Sequence, residues 1–220
     1  GVGMTVDAAL SIYAANADGL AARYDATATE AVLSGLMDLI PPPPAAVLDA
    51  GAGSGRDAAW FVARGHAVTA AEPVAEFRTR IATRAPQARL SEASLPALEG
   101  LAGPFALILV SAVWHHLDPQ DRDLALGRLS ALLAPGGLLF LSLRQGPVPS
   151  GQPLSALDPA AEIDRAAAAG LALLRRHEAP ALDAAERRGH AHHRVQQHAI
   201  LGIDGVEHGV ARLLGEDVDH

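Results

Sequence analysis

The sequence predicts an α/β fold with a doubly wound, mostly parallel sheet, and three observations carry this prediction. Apolar runs of strand length alternate with helical segments between residues 45 and 143, a succession typical of parallel strands joined by right-handed crossovers. A glycine-rich loop joins the first strand to the helix that follows it. The run at residues 105–110 is apolar throughout, as expected for a strand that is buried on both faces.

The first strand and its loop begin after a run of prolines that cannot continue a helix. Residues 45–48 form the strand, Asp49 stands at its end, and residues 57–64 are a helix that Gly65 ends. Three glycines occupy every second position of the loop: Gly51, Gly53 and Gly55. Glycines there let the chain turn tightly and let a ligand approach the N–H groups of the helix.

The glycine spacing differs from the dinucleotide fingerprint G-x-G-x-x-G. Counted from Gly51, that fingerprint needs a glycine where Arg56 stands, and counted from Gly53 it needs one at Ala58. Asp49 precedes the first glycine by two places instead, and its carboxylate repels a pyrophosphate but suits a ligand that carries an ammonium group. A nicotinamide-dependent oxidoreductase is therefore the less favoured alternative.

The later core elements alternate in the same way. Further strands are expected at residues 66–71, 88–93, 105–110 and 138–143, and helices at 74–84 and 119–133. Glu72 and Pro73 end the second strand and place a carboxylate about 20 residues after the glycine loop, where folds that bind a ribose carry one. Residues 94–95 follow the third strand, residues 111–117 follow the fourth, and Pro135-Gly136-Gly137 turns into the fifth.

Together these motifs resemble class I S-adenosylmethionine-dependent methyltransferases of the small-molecule type. The D-x-G-x-G-x-G loop is similar to the first motif of that family, and a buried strand ending in His-His-Leu, followed by L-x-P-G-G and an apolar strand, is similar to its later pattern. The resemblance implies a Rossmann-like sheet of seven strands with an antiparallel last strand. Residues 171–178 are the candidate sixth strand and residues 193–201 the candidate seventh, whose polar sequence leaves room for a degenerate strand.

The resemblance further implies methyl transfer from S-adenosylmethionine, with S-adenosylhomocysteine as the product, at the carboxyl ends of the strands. The residues expected to bind this cofactor lie in the N-terminal segment and in four strand-end loops: Tyr13, Asn16, Asp49, Gly51, Ala52, Gly53, Gly55, Arg56, Asp57, Glu72, Pro73, Ser94, Leu95, Ser111, Ala112 and Val113. Ser94 stands where the family usually has an aspartate that contacts the adenine amino group, and the Leu95 backbone is the remaining candidate for contact with the ring.

The N-terminal residues 4–40 are expected to form a helical lid over the site. Helical patterns cover residues 7–17, 19–24 and 28–40, and the first two pieces are too short to be stable alone in water. A cluster of polar and aromatic residues lies in the first two: Tyr13, Asn16, Arg23 and Tyr24. An ordinary surface helix is the alternative interpretation.

Four residues are candidates for the acceptor side. His115 and His116 follow the fourth strand and are candidate bases, since histidine titrates near neutral pH; packing and helix capping are the alternative. Tyr24 and Arg144 are expected to face the acceptor, although Arg144 also fits an ordinary surface position.

Composition excludes several classes of function. A net charge of −8 argues against nucleic-acid partners, and no apolar run approaches the ~18 residues of a membrane span. The chain has no cysteine for the nucleophile that cytosine C5 methylation requires, and no [N/D]-P-P-[Y/F] tetrapeptide follows the fourth strand. A small-molecule acceptor therefore remains the leading class.

We expect a single cytoplasmic domain over residues 1–220, acting as a monomer or homodimer. Residues 4–40 are its lid, residues 45–143 its cofactor-binding core, and residues 144–220 an acceptor-side region with a divergent tail and a short helix near 206–214. Histidines cluster in the tail at His192, His193 and His198, but without carboxylate or thiolate partners no metal site is expected. A non-catalytic cofactor-binding or partner-binding module stays an alternative to the enzyme.

Overall fold

A computed structural model describes residues 6–144, 157–179 and 196–206. Its strands are β1 Ala46–Ala50, β2 Ala67–Ala71, β3 Arg89–Ser91, β4 Phe105–Val110, β5 Leu133–Arg144, β6 Leu171–Ala179 and β7 Gln196–Ile203. They form one sheet in the order β3-β2-β1-β4-β5-β7-β6. β7 runs antiparallel to both of its neighbours, and the other strands are parallel. The predicted seven-stranded Rossmann-like fold is confirmed.

The helices cover both faces of this sheet. They are α1 Val6–Ala15, α2 Ala17–Asp25, α3 Thr29–Val32, α4 Arg56–Ala63, α5 Ala75–Arg84, α6 Pro119–Leu132 and α7 Pro159–Ala168, with 3₁₀ turns at Met37–Leu39 and Trp114–His116. Phe61, Leu36 and Ile81 pack on one face, and Leu126 and Leu129 of α6 pack on the other. Each fully buried side chain of this size stabilises the fold by about 1.5–3 kcal/mol.

The strand order reverses between β1 and β4, because the chain builds β2 and β3 on one side of β1 and then crosses to the other. Asp49 pairs in register with Leu109 of β4 and with Ala70 of β2. The loops that leave these three strands therefore diverge around one crevice at their carboxyl ends, which is where open α/β sheets bind ligands.

The N-terminal segment departs from its predicted structure at residues 28–40. One helix was expected, but α3 ends at Val32 and a 3₁₀ turn follows at Met37–Leu39. Gly35 lies between them, and the ring of His177 packs so closely that a Cβ on Gly35 would stand 2.5 Å from it. Glycine weakens a helix interior, and Gly35 lies in the non-helical stretch, in close contact with β6.

The C-terminal strands differ from their predicted form in one respect. β7 is not degenerate, since residues 196–203 pair with β5 on one edge and with β6 on the other. His192, His193 and the helix expected near 206–214 lie outside the described residues. Within the described ranges, no helix is long and apolar enough to cross a membrane, and no group of three or more potential metal ligands occurs.

Candidate active site

A cavity of about 250 Å³ lies at the carboxyl ends of β1, β2 and β4. The strand-end loops, α1, α2 and the start of α5 line it. The structure brings most of the predicted site residues together there: Tyr13, Tyr24, Asp49, Gly51, Ala52, Gly53, Arg56, Asp57, Glu72, Pro73, Ser94, Leu95, Ser111, Ala112, Val113 and His116.

Four predicted residues are not placed in the cavity wall. Asn16 is exposed at the break between α1 and α2, and its amide donates to a carbonyl one turn earlier. Gly55 caps α4 with φ +80, and a Cβ there would meet Ile81 at 2.8 Å, so this glycine serves helix packing. His115 is buried beside the cavity without lining it. Arg144 ends β5, and its side chain lies outside the described part of the structure.

Sequence reasoning missed five residues that line the cavity: Leu10, Ser54, Val74, Phe77 and Leu117. Leu10 precedes Tyr13 by three positions in α1, so helical periodicity would have predicted that both lie on one face of the helix. Ser54 lies within the glycine loop itself. Phe77 and Val74 form a small buried cluster with Ala17 and Ala21 of α2, a contact between distant segments that local patterns do not reveal.

The glycine loop has a backbone conformation and close neighbours that residues with a side chain would not tolerate. Gly51 has φ +77 and Gly53 has φ +57, a region that L side chains rarely adopt. A Cβ on Gly51 would stand 2.8 Å from Val113, and one on Gly53 would stand 3.4 Å from the ring of Tyr24. The loop can therefore approach a ligand with its backbone while Val113 and Tyr24 close its flanks.

Two carboxylates stand where the strands end. Asp49 is 2% exposed, and its Oδ2 has no hydrogen-bond partner among the described residues. Burial raises the pKa of Asp49 well above its ordinary value, and the charge of Asp57 raises it further. Burial also raises the pKa of Glu72 to about 8, although Arg78 and the N–H of Gly53 oppose that shift. Strongly shifted carboxyls in one cavity are typical of a functional site.

Arg56 and its neighbours attach α2 to the glycine loop. Nη1 of Arg56 donates to the carbonyl of Tyr24 at 2.7 Å, and its Nε donates to Asp57 at 2.9 Å. Ser54 Oγ donates to Asp25 at 2.8 Å. The Arg56 guanidinium is therefore committed to the protein's own groups, and it anchors the C-terminal end of α2.

Tyr13 and His116 both line the cavity and contact each other. Tyr13 Oη lies 2.7 Å from His116 Nε2, and the rings are edge-on at 85° with centroids 5.3 Å apart. Tyr13 belongs to α1, and His116 belongs to the turn after β4. This hydrogen bond connects the N-terminal segment directly to the loop that follows the central strand.

A buried ion pair lies behind that turn. Trp114 is fully buried, and its Nε1 donates to Glu162 Oε2 at 2.8 Å. Arg122 Nη1 donates to Glu162 Oε1 at 2.8 Å. Ala112, at the start of the turn, has φ +58, a backbone strain that persists only where the surroundings hold it. The contacts of Glu162 therefore fix the turn that presents His116.

Comparisons with known proteins identify a family. A family model described as a methyltransferase domain matches residues 24–201. No curated protein matched the chain in a sequence search.

The chain is similar in structure to several methyltransferases. The 1,6-didemethyltoxoflavin-N1-methyltransferase of Burkholderia thailandensis, crystallised with 1,6-didemethyltoxoflavin and S-adenosylhomocysteine, is 26% identical over 88% of this chain and 87% of that chain, with a TM-score of 0.68. A TehB-like S-adenosylmethionine-dependent methyltransferase of Corynebacterium glutamicum is 21% identical over 90% and 99%, with a TM-score of 0.65. The glycopeptide N-methyltransferase MtfA, crystallised with S-adenosylhomocysteine, is 17% identical over 80% and 90%, with a TM-score of 0.63. The latter two show the fold alone.

Proposed function

This chain belongs to the methyltransferase-domain family, and we propose that it transfers a methyl group from S-adenosylmethionine to a small-molecule acceptor. The observation that carries the proposal is a single cavity lined by two strand-end carboxylates, a glycine loop and a tyrosine–histidine pair. Asp49, Glu72 and the glycine loop suit the methyl donor, and we call them the donor end; Tyr13 and His116 remain for the acceptor, and we call them the acceptor end. The structure from Burkholderia thailandensis, with both a small molecule and S-adenosylhomocysteine bound, supports this assignment.

The residues at the donor end fit the proposed donor. A buried carboxylate oxygen without a partner is costly, and an ammonium group in the cavity would satisfy the free Oδ2 of Asp49. Glu72, at the end of β2, can accept hydrogen bonds from both hydroxyls of a ribose. The positive φ angles of Gly51 and Gly53 keep the loop free of side chains, so the backbone can approach the ligand.

When bound, S-adenosylmethionine supplies a methyl group that its sulfonium already activates. The protein therefore has to orient the two partners and exclude water. Asp49, Glu72 and the glycine loop would hold the donor, and Tyr24 would cover the loop. His116 lines the cavity and would hold the proton of an acceptor hydroxyl or N–H group, as a histidine near neutral pH can.

Two measurements on the purified protein test this proposal. Titration calorimetry is expected to show binding of S-adenosylmethionine and S-adenosylhomocysteine without comparable binding of NAD. A turnover screen with methyl-labelled donor against a metabolite library is expected to identify a labelled small molecule. Strong NAD binding without donor binding would overturn the proposal, because the glycine loop would then serve a dinucleotide.

A further inference from the structure

We infer that Glu72 carries a proton in the free protein and releases it to the solvent when the donor binds, so that donor affinity rises with pH. The inference rests on the proposed function, because it describes how protons regulate the same site. Three features support it: the burial of Glu72 among other carboxyls, the commitment of two guanidinium groups to other partners, and the chemistry of the ligand.

Glu72 is buried in a wall that holds other carboxyls. Its exposed fraction is 5%, and it lines the cavity together with the buried Asp49 and Asp57. A carboxylate in such surroundings is costly without a paired cation, and the group takes up a proton instead. Burial accordingly raises the pKa of Glu72 to about 8. Burial, Asp57 and Glu72 all raise the pKa of Asp49, so these carboxyls oppose one another's ionisation.

The positive groups around these carboxyls are committed to other partners. Arg78 on α5 lowers the pKa of Glu72 only in part, because its Nη1 donates to the backbone carbonyls of Glu72 and Pro73 at 2.9 and 2.7 Å. Arg56 is the one guanidinium among the described residues that line the cavity. It donates to Asp57 and to two backbone carbonyls. Neither guanidinium therefore forms a direct ion pair with the Glu72 carboxylate.

Three further titratable groups belong to this region. Burial raises the pKa of Tyr24 on α2, and the charge of Glu72 raises it further, so this phenol stays neutral at pH 7. Glu92 lies 3.6 Å from Nη2 of Arg78 and is exposed. His116 lines the cavity, and histidine titrates near neutral pH. A variant of His116 is therefore needed to assign a released proton to Glu72.

The proposed donor reverses the balance that protonates Glu72. Its ribose has two hydroxyls that can donate to the carboxylate, and hydrogen bonds to the ionised form favour that form. Its ammonium group brings a positive charge to the same wall, where Asp49 Oδ2 has no hydrogen-bond partner among the described residues. A proton that leaves on binding makes affinity rise with pH, up to the pKa of about 8 that Glu72 has in the free protein.

The test uses S-adenosylhomocysteine as the probe. Titration calorimetry of the whole chain at pH 7, in two buffers with different ionisation enthalpies, counts the protons released. About one proton per bound ligand is expected, because Glu72 is largely protonated at this pH. The dissociation constant should fall about tenfold per pH unit between pH 6 and 8 and level off above that range. Proton uptake, or binding without proton exchange, would overturn the inference.

Three variants assign the proton. Glu72→Gln should remove most of the proton release and flatten the pH dependence, because an amide does not titrate. Glu99→Gln is the matched control, since Glu99 is exposed and does not line the cavity, and it should release protons as the wild type does. His116→Asn should also keep the release; its loss in this variant would assign the proton to the histidine and overturn the inference.

A measurement on the wild type avoids any dependence on the folding of Glu72→Gln. Infrared difference spectra should show a protonated-carboxyl band that disappears when S-adenosylhomocysteine is added, and a band that persists would contradict the inference. If S-adenosylhomocysteine does not bind at all, the proposed function fails and the inference with it. If it binds without releasing a proton, the inference alone is wrong.

Discussion

The two ends of the cavity are held in place by different means. At the donor end, Asp49 and Glu72 are positioned by the pairing of β1, β2 and β4, so the sheet itself fixes them. At the acceptor end, Tyr13 and His116 stand 103 positions apart in the chain and meet through contacts between their side chains. The residues proposed to bind the donor are therefore positioned by the fold, whereas those proposed to face the acceptor are positioned by side chains of this particular sequence.

The largest expected effect is a loss of turnover without a loss of donor affinity when the acceptor end is changed. His116→Asn should lower turnover by about 10²-fold or more, the usual contribution of a positioned acid or base, and should leave donor affinity within a few-fold. Kinetics on the acceptor found by screening, together with donor calorimetry, measure both quantities. His115→Asn is the control, because His115 is buried outside the cavity wall. Equal losses in the two variants would show that the pair acts through packing.

The next effect concerns affinity at the donor end. At about pH 9, where Glu72 with its pKa of about 8 is ionised, Glu72→Gln should weaken binding of S-adenosylhomocysteine by about 10- to 100-fold, since a hydrogen bond to a charged group contributes about 1.5–3 kcal/mol. Turnover at saturating donor should change far less, because Glu72 is proposed to bind the donor and to take no part in the transfer step. Calorimetry on the variant and the wild type provides the comparison. Unchanged affinity would remove Glu72 from the proposed donor site.

The smallest effect is on stability and has the opposite sign. The pKa of Glu72 is raised from 4.5 to about 8 in the folded protein, so the folded state binds this proton more tightly than the unfolded state does. The free energy of unfolding therefore falls as pH rises between these two values. Glu72→Gln removes this loss, and at pH 8 its Tm should exceed that of the wild type by about 2–4 °C or more. Thermal melts at pH 5 should show little difference; a lower Tm for the variant at both pH values would contradict this account.

The position of the proposed donor residues in the cavity wall was predictable because their signals are local in the sequence. The glycines, Asp49 and Glu72 follow apolar strand segments directly, and parallel strands bring their carboxyl ends to one edge of the sheet. The same logic placed Ser111, Ala112 and Val113 correctly beside the cavity. Among the three loop glycines, Gly55 does not line the cavity and instead packs against Ile81 of α5. The spacing of the glycines does not reveal that contact.

The acceptor end was less predictable because distant contacts decide it. His115 and His116 are adjacent, yet only His116 lines the cavity; the orientation of the 3₁₀ turn depends on Glu162, which a sequence pattern does not connect to it. Asn16 was expected to line the site with Tyr13. Instead, α1 ends at Ala15, and the side-chain amide of Asn16 donates to the carbonyl of Ile12 in that helix. The predicted single helix at 28–40 was wrong: α3 ends at Val32, and Gly35 lies against His177 of β6, a contact between distant segments. That the N-terminal segment acts as a lid stays a prediction.

The ion pair behind His116 has a consequence for how such enzymes can be recombined. Glu162 belongs to α7, whereas Trp114 and Arg122 belong to the central part of the chain. Exchanging the C-terminal region with that of a relative would leave the Arg122 guanidinium buried without its carboxylate, a loss of about 3–5 kcal/mol for a broken buried pair. A chimera that is meant to accept a new substrate should therefore take Trp114, Arg122 and Glu162 from the same parent protein.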